Sequence, residues 1–298
     1  MSNARQLDRS RKSIGNIRKI TRTMELIATA RFRRAMDRAT AAARYSERLN
    51  QLVLELAQSG QSVRHPLLEP RDRTERAVLL VLTANRGLCG GYNSGVLRLA
   101  FPRYDELLRE VPSVQLEVSG KRGISGFRFR HIALAQTYLQ FDDQPKFQDV
   151  VAIANRYLDA YAQGQLDRVD VVYTKFFNAS RQVPVVETLL PLSGLIAARE
   201  TDSAAAPPQP ARQYEFLPSG ESILEEVVPA SFQVRLFQCF LDAGVSEQIS
   251  RMVAMKSATE NATGMIRQLS RAYNRARQSQ ITKEISEIIG GVEALKNT

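Results

Sequence analysis

Between residues 3 and 58 an apolar position recurs every three or four residues: Ile14, Ile17, Thr21, Met24, Ala28, Arg31, Ala35, Arg38, Ala42, Tyr45, Leu49, Leu52 and Leu56. Ten of these 13 are apolar, no glycine falls between Gly15 and Gly60, and the first proline is Pro66. That spacing predicts a long amphipathic helix seeking a partner helix. At the helical rise it would run about 84 Å, more than a compact domain needs. A second stripe lies near the other end, through Val245, Ile249, Met252, Met255, Thr259, Ala262, Ile266, Leu269, Tyr273 and Ala276. Its phase slips toward Ile281, Ile285 and Ile288, as an interrupted coiled-coil repeat does. Gly264 within it costs about 1 kcal/mol relative to alanine. The two ends are expected to form one antiparallel coiled coil, with Ala28, Ala30, Ala35, Ala39, Ala41, Ala42 and Ala43 favouring thin helices that approach closely. An apolar stripe is ordinarily core and assigns no function.

The middle has other periods. "RAVLLVLTAN" at 76–85 is nearly continuous and apolar, as in a strand buried on both faces. "VQLEVSG" at 114–120 alternates, and "VDVVYTKF" at 169–176 and "VPVVETLL" at 183–190 are β-branched and strand-like. Helical spacing through Phe147, Val150, Ala154, Tyr157 and Tyr161 marks 145–164. Strands alternating with helices predict a small α/β domain with a largely parallel sheet. "SAAAPPQPAR" at 203–212 is expected to be a flexible loop. The organisation expected is a helix at 1–60, an α/β domain at 61–212 and a second helical segment at 213–298.

Charge sharpens the contrast between ends and middle. The net charge is +10. Residues 1–57 carry 13 Lys and Arg against 5 Asp and Glu, residues 245–298 carry 8 against 5, and the middle carries 20 against 21. Basic ends should meet something acidic: nucleic acid, a membrane surface or an acidic protein face. The longest apolar run, Ala77 to Leu82, is far short of the ~20 residues that span a bilayer. The polar opening has no signal-peptide core. Cys89 and Cys239, with no CxxC, are expected to be free thiols, with a long-range disulfide as the alternative.

The candidate chemistry is sparse. "LTANRGLCGGYN" at 82–93 follows a strand and enters a helix-like segment, where a phosphate loop would sit. It lacks both the Walker lysine and the GxGxxG order, so Gly87, Gly90 and Gly91 read as a corner, with nucleotide binding as the alternative. His65 and His131 have no partners at metal-ligand spacing. Asp142 and Asp143 read as a solvated turn, and there is no G-x-S-x-G elbow. No catalytic residue, metal or cofactor is expected in this chain. Arg31, Arg33, Arg34 and Arg38, with Phe32 among them, would suit either nucleic acid or an acidic protein partner.

Three segments in register carry a resemblance: "KSIGNIRKITRTMELIATARFRRAMDR" (12–38), "NRGLCGGYN" (85–93) and "SEQISRMVAMKSATENATGMIRQLSRAYNRARQSQITKEISEIIGGVEAL" (246–295). Together they resemble the gamma subunit of the rotary F-type ATP synthase. The middle matches more loosely, through "YTKFFNASRQVPVVETLLPL" (173–192). The resemblance implies an antiparallel coiled coil of the N- and C-terminal helices, with a small Rossmann-like parallel-sheet domain inserted between them. It implies a non-catalytic shaft inside three alpha and three beta subunits, with the epsilon subunit and the membrane c-subunit ring at its foot and the delta subunit in the same complex. Such a shaft couples proton or sodium flow to ATP synthesis or hydrolysis at the beta sites, with no nucleotide or nucleic acid bound to itself.

Residue by residue, Met24 matches a methionine near the beta subunit's moving loop, and Arg31 and Arg34 match basic positions facing beta. Arg251 matches an arginine tied to coupling. Arg277 and Gln278 match a pair that hydrogen-bonds a beta loop, and Thr282 and Glu284 match neighbours on the same helix. Gly87, Gly90 and Gly91 match a structural turn in the foot domain, whereas Arg33 and Arg38 read as solvated charges. Phe32 and Gly264 depart from the family pattern, and Pro102 is expected to interrupt the helix after the glycine turn. No segment with paired cysteines is present. The family pattern begins within the first dozen residues, which suggests a peripheral location on the cytoplasmic side of a bacterial inner membrane.

Overall fold

The computed structural model describes residues 2–58, 67, 71, 73–141, 144–192 and 220–296. The expected loop at 203–212, the expected domain boundaries near 60 and 212, His65 and the Asp142–Asp143 pair lie outside them. The elements are α1 (Ser2–Gln58), β1 (Arg76–Leu82), α2 (Tyr92–Glu110), β2 (Ser113–Ser119), α3 (Lys121–Phe129), β3 (Gln136–Tyr138), α4 (Phe147–Ala162), β4 (Arg168–Asn178), β5 (Arg181–Leu190) and α5 (Gly220–Lys296). No helix among the described residues is long and apolar enough to cross a membrane.

The chain forms two compact units, Met1–Thr29 with Arg251–Thr298, and Ala30–Ser250. In the second, five strands form one sheet in the order β3-β2-β1-β4-β5. β1 pairs in parallel with β2, from Arg76 opposite Ser113 to Leu82 opposite Ser119, and with β4, from Ala77 opposite Arg168 to Val81 opposite Val172. β3 joins in parallel and β5 returns antiparallel as a hairpin. The unbroken apolar run of β1 follows from its central place. Val78, Leu80 and Leu82 enter the core formed with α4 and α5, whereas Ala77, Leu79 and Val81 enter the core formed with α2 and α3. Covering both faces of a parallel sheet is what such runs require.

The helix after the glycine turn is not interrupted at Pro102: α2 runs through it to Glu110. The missing proline N–H frees the carbonyl of Arg98, and both residues lie on the exposed side of α2, where an unpaired carbonyl costs little. Pro229 is carried inside α5 in the same way, four residues after the exposed Glu225. The short elements α3 and β3 have no periodic signal in the sequence. Phe32 packs on Phe176 of the β4–β5 hairpin, with ring centroids 6.4 Å apart, beside Ala35, Ala39, Leu241 and Val245.

In the first unit the helices run antiparallel. The Thr259 hydroxyl donates to Thr21 Oγ1 at 2.8 Å, Arg11 stacks on the Tyr273 ring at 5.1 Å, and Ala28, Met255 and Ala262 are buried. With Thr21 level with Thr259, the start of α1 comes level with residues near 278, and α5 continues to Lys296 beyond it.

Candidate coupling surface on the terminal helices

The sequence-predicted site residues fall into three groups. Met24, half-buried on α1, and Arg251, half-buried on α5, lie in the paired-helix unit together with Arg277, Gln278, Thr282 and Glu284. Arg31 and Arg34 lie in the sheet unit, the first half-buried and the second exposed. Gly87, Gly90 and Gly91 stand at the carboxyl end of β1.

The overhanging end of α5 brings four of these residues around an apolar stripe. At about 100° per residue, Ile281, Ile285, Ile288 and Val292 fall within about 60° of one another on the helix. Arg277 and Glu284 border that stripe on one side, and Gln278 and Thr282 lie toward the other. Ile281, Ile285, Ile288, Ile289 and Val292 are 46–67% exposed, and the side chains of 281–292 are exposed throughout. Gln280 Nε2 donates to Glu284 Oε1 at 2.9 Å and so orients that carboxylate along the helix. Eleven of the 18 large exposed hydrophobic side chains among the described residues belong to the paired-helix unit, which supplies far fewer residues than the other. Ile17, Ile20, Leu26 and Ile27 on α1 are among them. Apolar exposure on that scale, rimmed by polar groups, marks a surface that other proteins cover.

The glycine turn is built inward. Asn93 Oδ1 accepts from the Ala84 N–H at 2.9 Å and Asn93 Nδ2 donates to Cys89 Sγ at 3.0 Å. Asn85 donates to the carbonyls of Leu139 and Phe141 and accepts from the Lys121 N–H. Gly90 has φ +54° and allows the reversal, whereas Gly91 has an ordinary φ of −82° at the start of α2. The Tyr92 hydroxyl donates to the Ala243 carbonyl of α5 at 3.1 Å. Doubly wound sheets bind ligands in the crevice beyond the carboxyl ends of their strands. Here the end of β1 leads through Tyr92 into contact with α5, and the Ser246 hydroxyl donates to the Thr174 carbonyl within β4, at 3.0 Å.

The sequence reading missed the glycine that the fold most needs. Gly120 has φ +97°, and a Cβ there would lie 2.1 Å from the Thr83 carbonyl oxygen. Thr83 Oγ1 donates to the Ser119 carbonyl at 2.7 Å and accepts from the Gly123 N–H at 2.9 Å, joining the ends of β1 and β2 to α3. Only an "SGK" after a strand hinted at it. Also missed was a charged seam on α5, where Arg235 donates to Glu187 at 2.9 Å and Glu187 accepts from the Tyr173 hydroxyl at 2.7 Å. Despite its burial, Glu187 is held below the ordinary carboxylate value by Lys175, Arg235 and Tyr173. Burial drives the Tyr173 hydroxyl and the Cys239 thiol far up, so both stay protonated. Cys89 and Cys239 are both buried thiols, with no disulfide between them.

Comparison with known proteins fixes the class. The family model described as ATP synthase matches residues 3–295. An ATP synthase gamma chain from Rhodopirellula baltica is 60% identical over 297 residues, covering 99% of this chain and all of its own. One from Leptospira biflexa is 36% identical over 295 residues, with 99% and 100% covered. Among solved structures, a chain of the Euglena gracilis mitochondrial ATP synthase in rotational state 3 superposes with a TM-score of 0.64 at 19% identity, over 98% of this chain and 94% of its own. A chain of the rotor of the same enzyme in rotational state 1 gives 0.59 at 18% identity, over 93% and 98%. These structures share the fold: two long terminal helices around an inserted, mostly parallel sheet. The chain belongs to the family of ATP synthase gamma chains, the rotors of the central stalk.

Proposed function

We propose that this chain turns as the central shaft of an F-type ATP synthase, coupling ion flow through a membrane ring of c subunits to ATP synthesis or hydrolysis at the beta subunits. The observation that carries the reading is its correspondence over nearly its whole length to gamma chains, one of them 60% identical. The exposed apolar end of α5 supports it, since a shaft needs a smooth surface that its stator can surround without locking it. In this reading three alpha and three beta subunits enclose the terminal helices, the epsilon subunit and the c ring meet the sheet domain, and the delta subunit belongs to the same complex. Met24, Arg31, Arg34, Arg251, Arg277, Gln278, Thr282 and Glu284 meet the beta subunits. Basic side chains facing acidic loops give an attraction without fixed geometry, which passes from one beta subunit to the next as the shaft turns. The glycine turn is structural, and the chain holds no catalytic site. Its place is peripheral, on the cytoplasmic face of a bacterial inner membrane, and the choice between proton and sodium belongs to the subunits that carry the ion.

The test is ATP hydrolysis by the alpha and beta subunits of the same organism, with and without this chain, and with an Arg277→Ala, Gln278→Ala variant. The expected result is sustained turnover only with the chain, reduced about tenfold in the variant. A chain that neither assembles nor changes turnover overturns the proposal.

A further inference from the structure

Within the sheet unit α5 is packed on two sides. Phe232, Leu236 and Phe240 enter the core against the sheet, and Leu241 and Val245 meet Ala35 and Ala39 of α1. Apolar packing is non-directional, and packed helices yield by small sliding shears. Directional bonds at four points oppose such sliding, each reaching a different element. Gln233 Nε2 donates to Asn155 Oδ1 of α4 at 2.7 Å, and Arg235 donates to Glu187 Oε1 of β5 at 2.9 Å. The Ala243 carbonyl accepts from the Tyr92 hydroxyl of the glycine turn, and the Ser246 hydroxyl donates to the Thr174 carbonyl of β4. From 233 to 246 these points spread over about 20 Å of helix. The inner three are shielded: Ser246 is 0% exposed, Tyr92 is 6% exposed, and the Arg235 side chain is 12% exposed. Water therefore competes poorly for those bonds, and breaking one leaves a buried polar group unmatched.

We infer that this seam is the joint that passes torque between the sheet domain and α5, with Arg235–Glu187, Tyr92–Ala243 and Ser246–Thr174 fixing the rotational setting of the helix on the sheet. The inference rests on the rotor reading above. Rotation of the sheet about the helix axis loads bonds that tie the helix to β5, to the glycine turn and to β4, whereas apolar contacts alone let the helix creep. Glu187 anchors the ion pair because it is itself held from its own sheet, by Tyr173 at 2.7 Å and Lys175 at 3.5 Å. None of these groups meets a nucleotide. They are positioning residues, and their loss should separate hydrolysis from transport instead of abolishing hydrolysis.

The experiment uses the complete enzyme in sealed vesicles, with ATP hydrolysis and ATP-driven membrane potential measured on one preparation. Potential reports proton and sodium transport alike. The variants are Tyr92→Phe with Ser246→Ala, which deletes only hydroxyls, the same pair with Arg235→Met, and Arg235→Lys as the conservative rescue. Hydrolysis is expected to stay within about twofold of the original, while the potential generated per ATP falls about threefold or more in the triple variant. Arg235→Lys should retain most of the coupling. An unchanged ratio in the triple variant, beside a well-coupled original enzyme, overturns the joint and leaves the rotor reading intact. Hydrolysis and potential falling in parallel with loss of assembled complex would make the seam a folding element only and also overturns it. An original enzyme that needs this chain for neither activity overturns the rotor reading itself.

Discussion

In the sheet unit, Glu117 is 1% exposed and accepts from Tyr138 at 2.6 Å, Tyr157 at 2.7 Å and Arg156 at 2.7 Å, groups that lie 21 to 40 residues from it in sequence. Asp170 is likewise buried and is bound by Arg103 and Arg168, from α2 and its own strand. In the paired-helix unit the ion pairs include Arg11–Asp8, Lys12–Asp8, Arg22–Glu25 and Lys283–Glu287, each three or four residues apart on one helix. A bond from Lys12 holds the Asp8 carboxyl below its ordinary value. Pairs at that spacing support their own helix and bind it to nothing else, whether exposed, as in Lys283–Glu287, or with a buried carboxylate, as in Arg22–Glu25. Burial and the Glu117 carboxylate raise the Tyr138 and Tyr157 hydroxyls far above their usual values, so both remain hydrogen-bond donors. One unit is thus cross-linked between distant parts of the chain. The other is two helices joined by a thin seam, its apolar outer surface left for partners. That division suits one part that must hold its own shape and another whose surface is made to be covered.

The sharpest way to break the contrast is at Gly120, where the sheet unit has no room. Gly120→Ala places a methyl group against the Thr83 carbonyl at a positive φ. It should destabilise the full chain by about 3 kcal/mol or more, seen as a lower urea midpoint. Gly91→Ala is the control, since its Cβ would meet only Ser94 Oγ at 3.9 Å, and it should shift the midpoint little. Equal effects at the two positions would remove the distinction between a required glycine and a convenient one.

A smaller effect, signed by pH, is expected at Asp242. Its carboxyl is pushed up to about 6, chiefly by burial and further by the Glu187 charge on β5, against the lowering effect of Gln238 on its own helix and of Lys175 and the Phe176 backbone on β4. The folded state therefore binds a proton that the unfolded chain releases near its ordinary value of 3.8. Stability from this group is complete below about 4, falls as pH rises toward 6, and is absent above it, for a total of about 2–3 kcal/mol. Asp242→Asn should lose that dependence and be more stable than the original at pH 8 by about 1–2 kcal/mol, with the advantage gone by pH 4. Denaturation at both values checks it, and parallel pH profiles for the two proteins would refute it.

The smallest effect tests the paired helices. Gly264 is exposed, and a Cβ there meets nothing within 4 Å, so Gly264→Ala should add about 1 kcal/mol by helix propensity alone. A loss of stability would mean that this glycine answers to more than its own helix.

The pattern of residues determined much of this molecule. The two apolar stripes gave both terminal helices and their antiparallel pairing, because a period near 3.6 exposes one face whatever surrounds it. The β1 run gave a strand covered on both faces, and 145–164 gave α4 within two residues at each end. Candidate coupling residues were legible only through resemblance, since an exposed arginine such as Arg277 looks like any solvated charge. Tertiary structure alone decided the rest. Pro102 stays helical because the carbonyl it orphans belongs to the exposed Arg98, Gly120 is required because Thr83, just past the end of β1, fills its space, and Phe32 packs because a hairpin more than 140 residues later brings Phe176 to it. The seam that joins Arg235 to Glu187 and Ser246 to Thr174 has no signature in spacing. Periodicity records which face of an element is buried, whereas the identity of the atoms it meets depends on segments the chain has yet to reach.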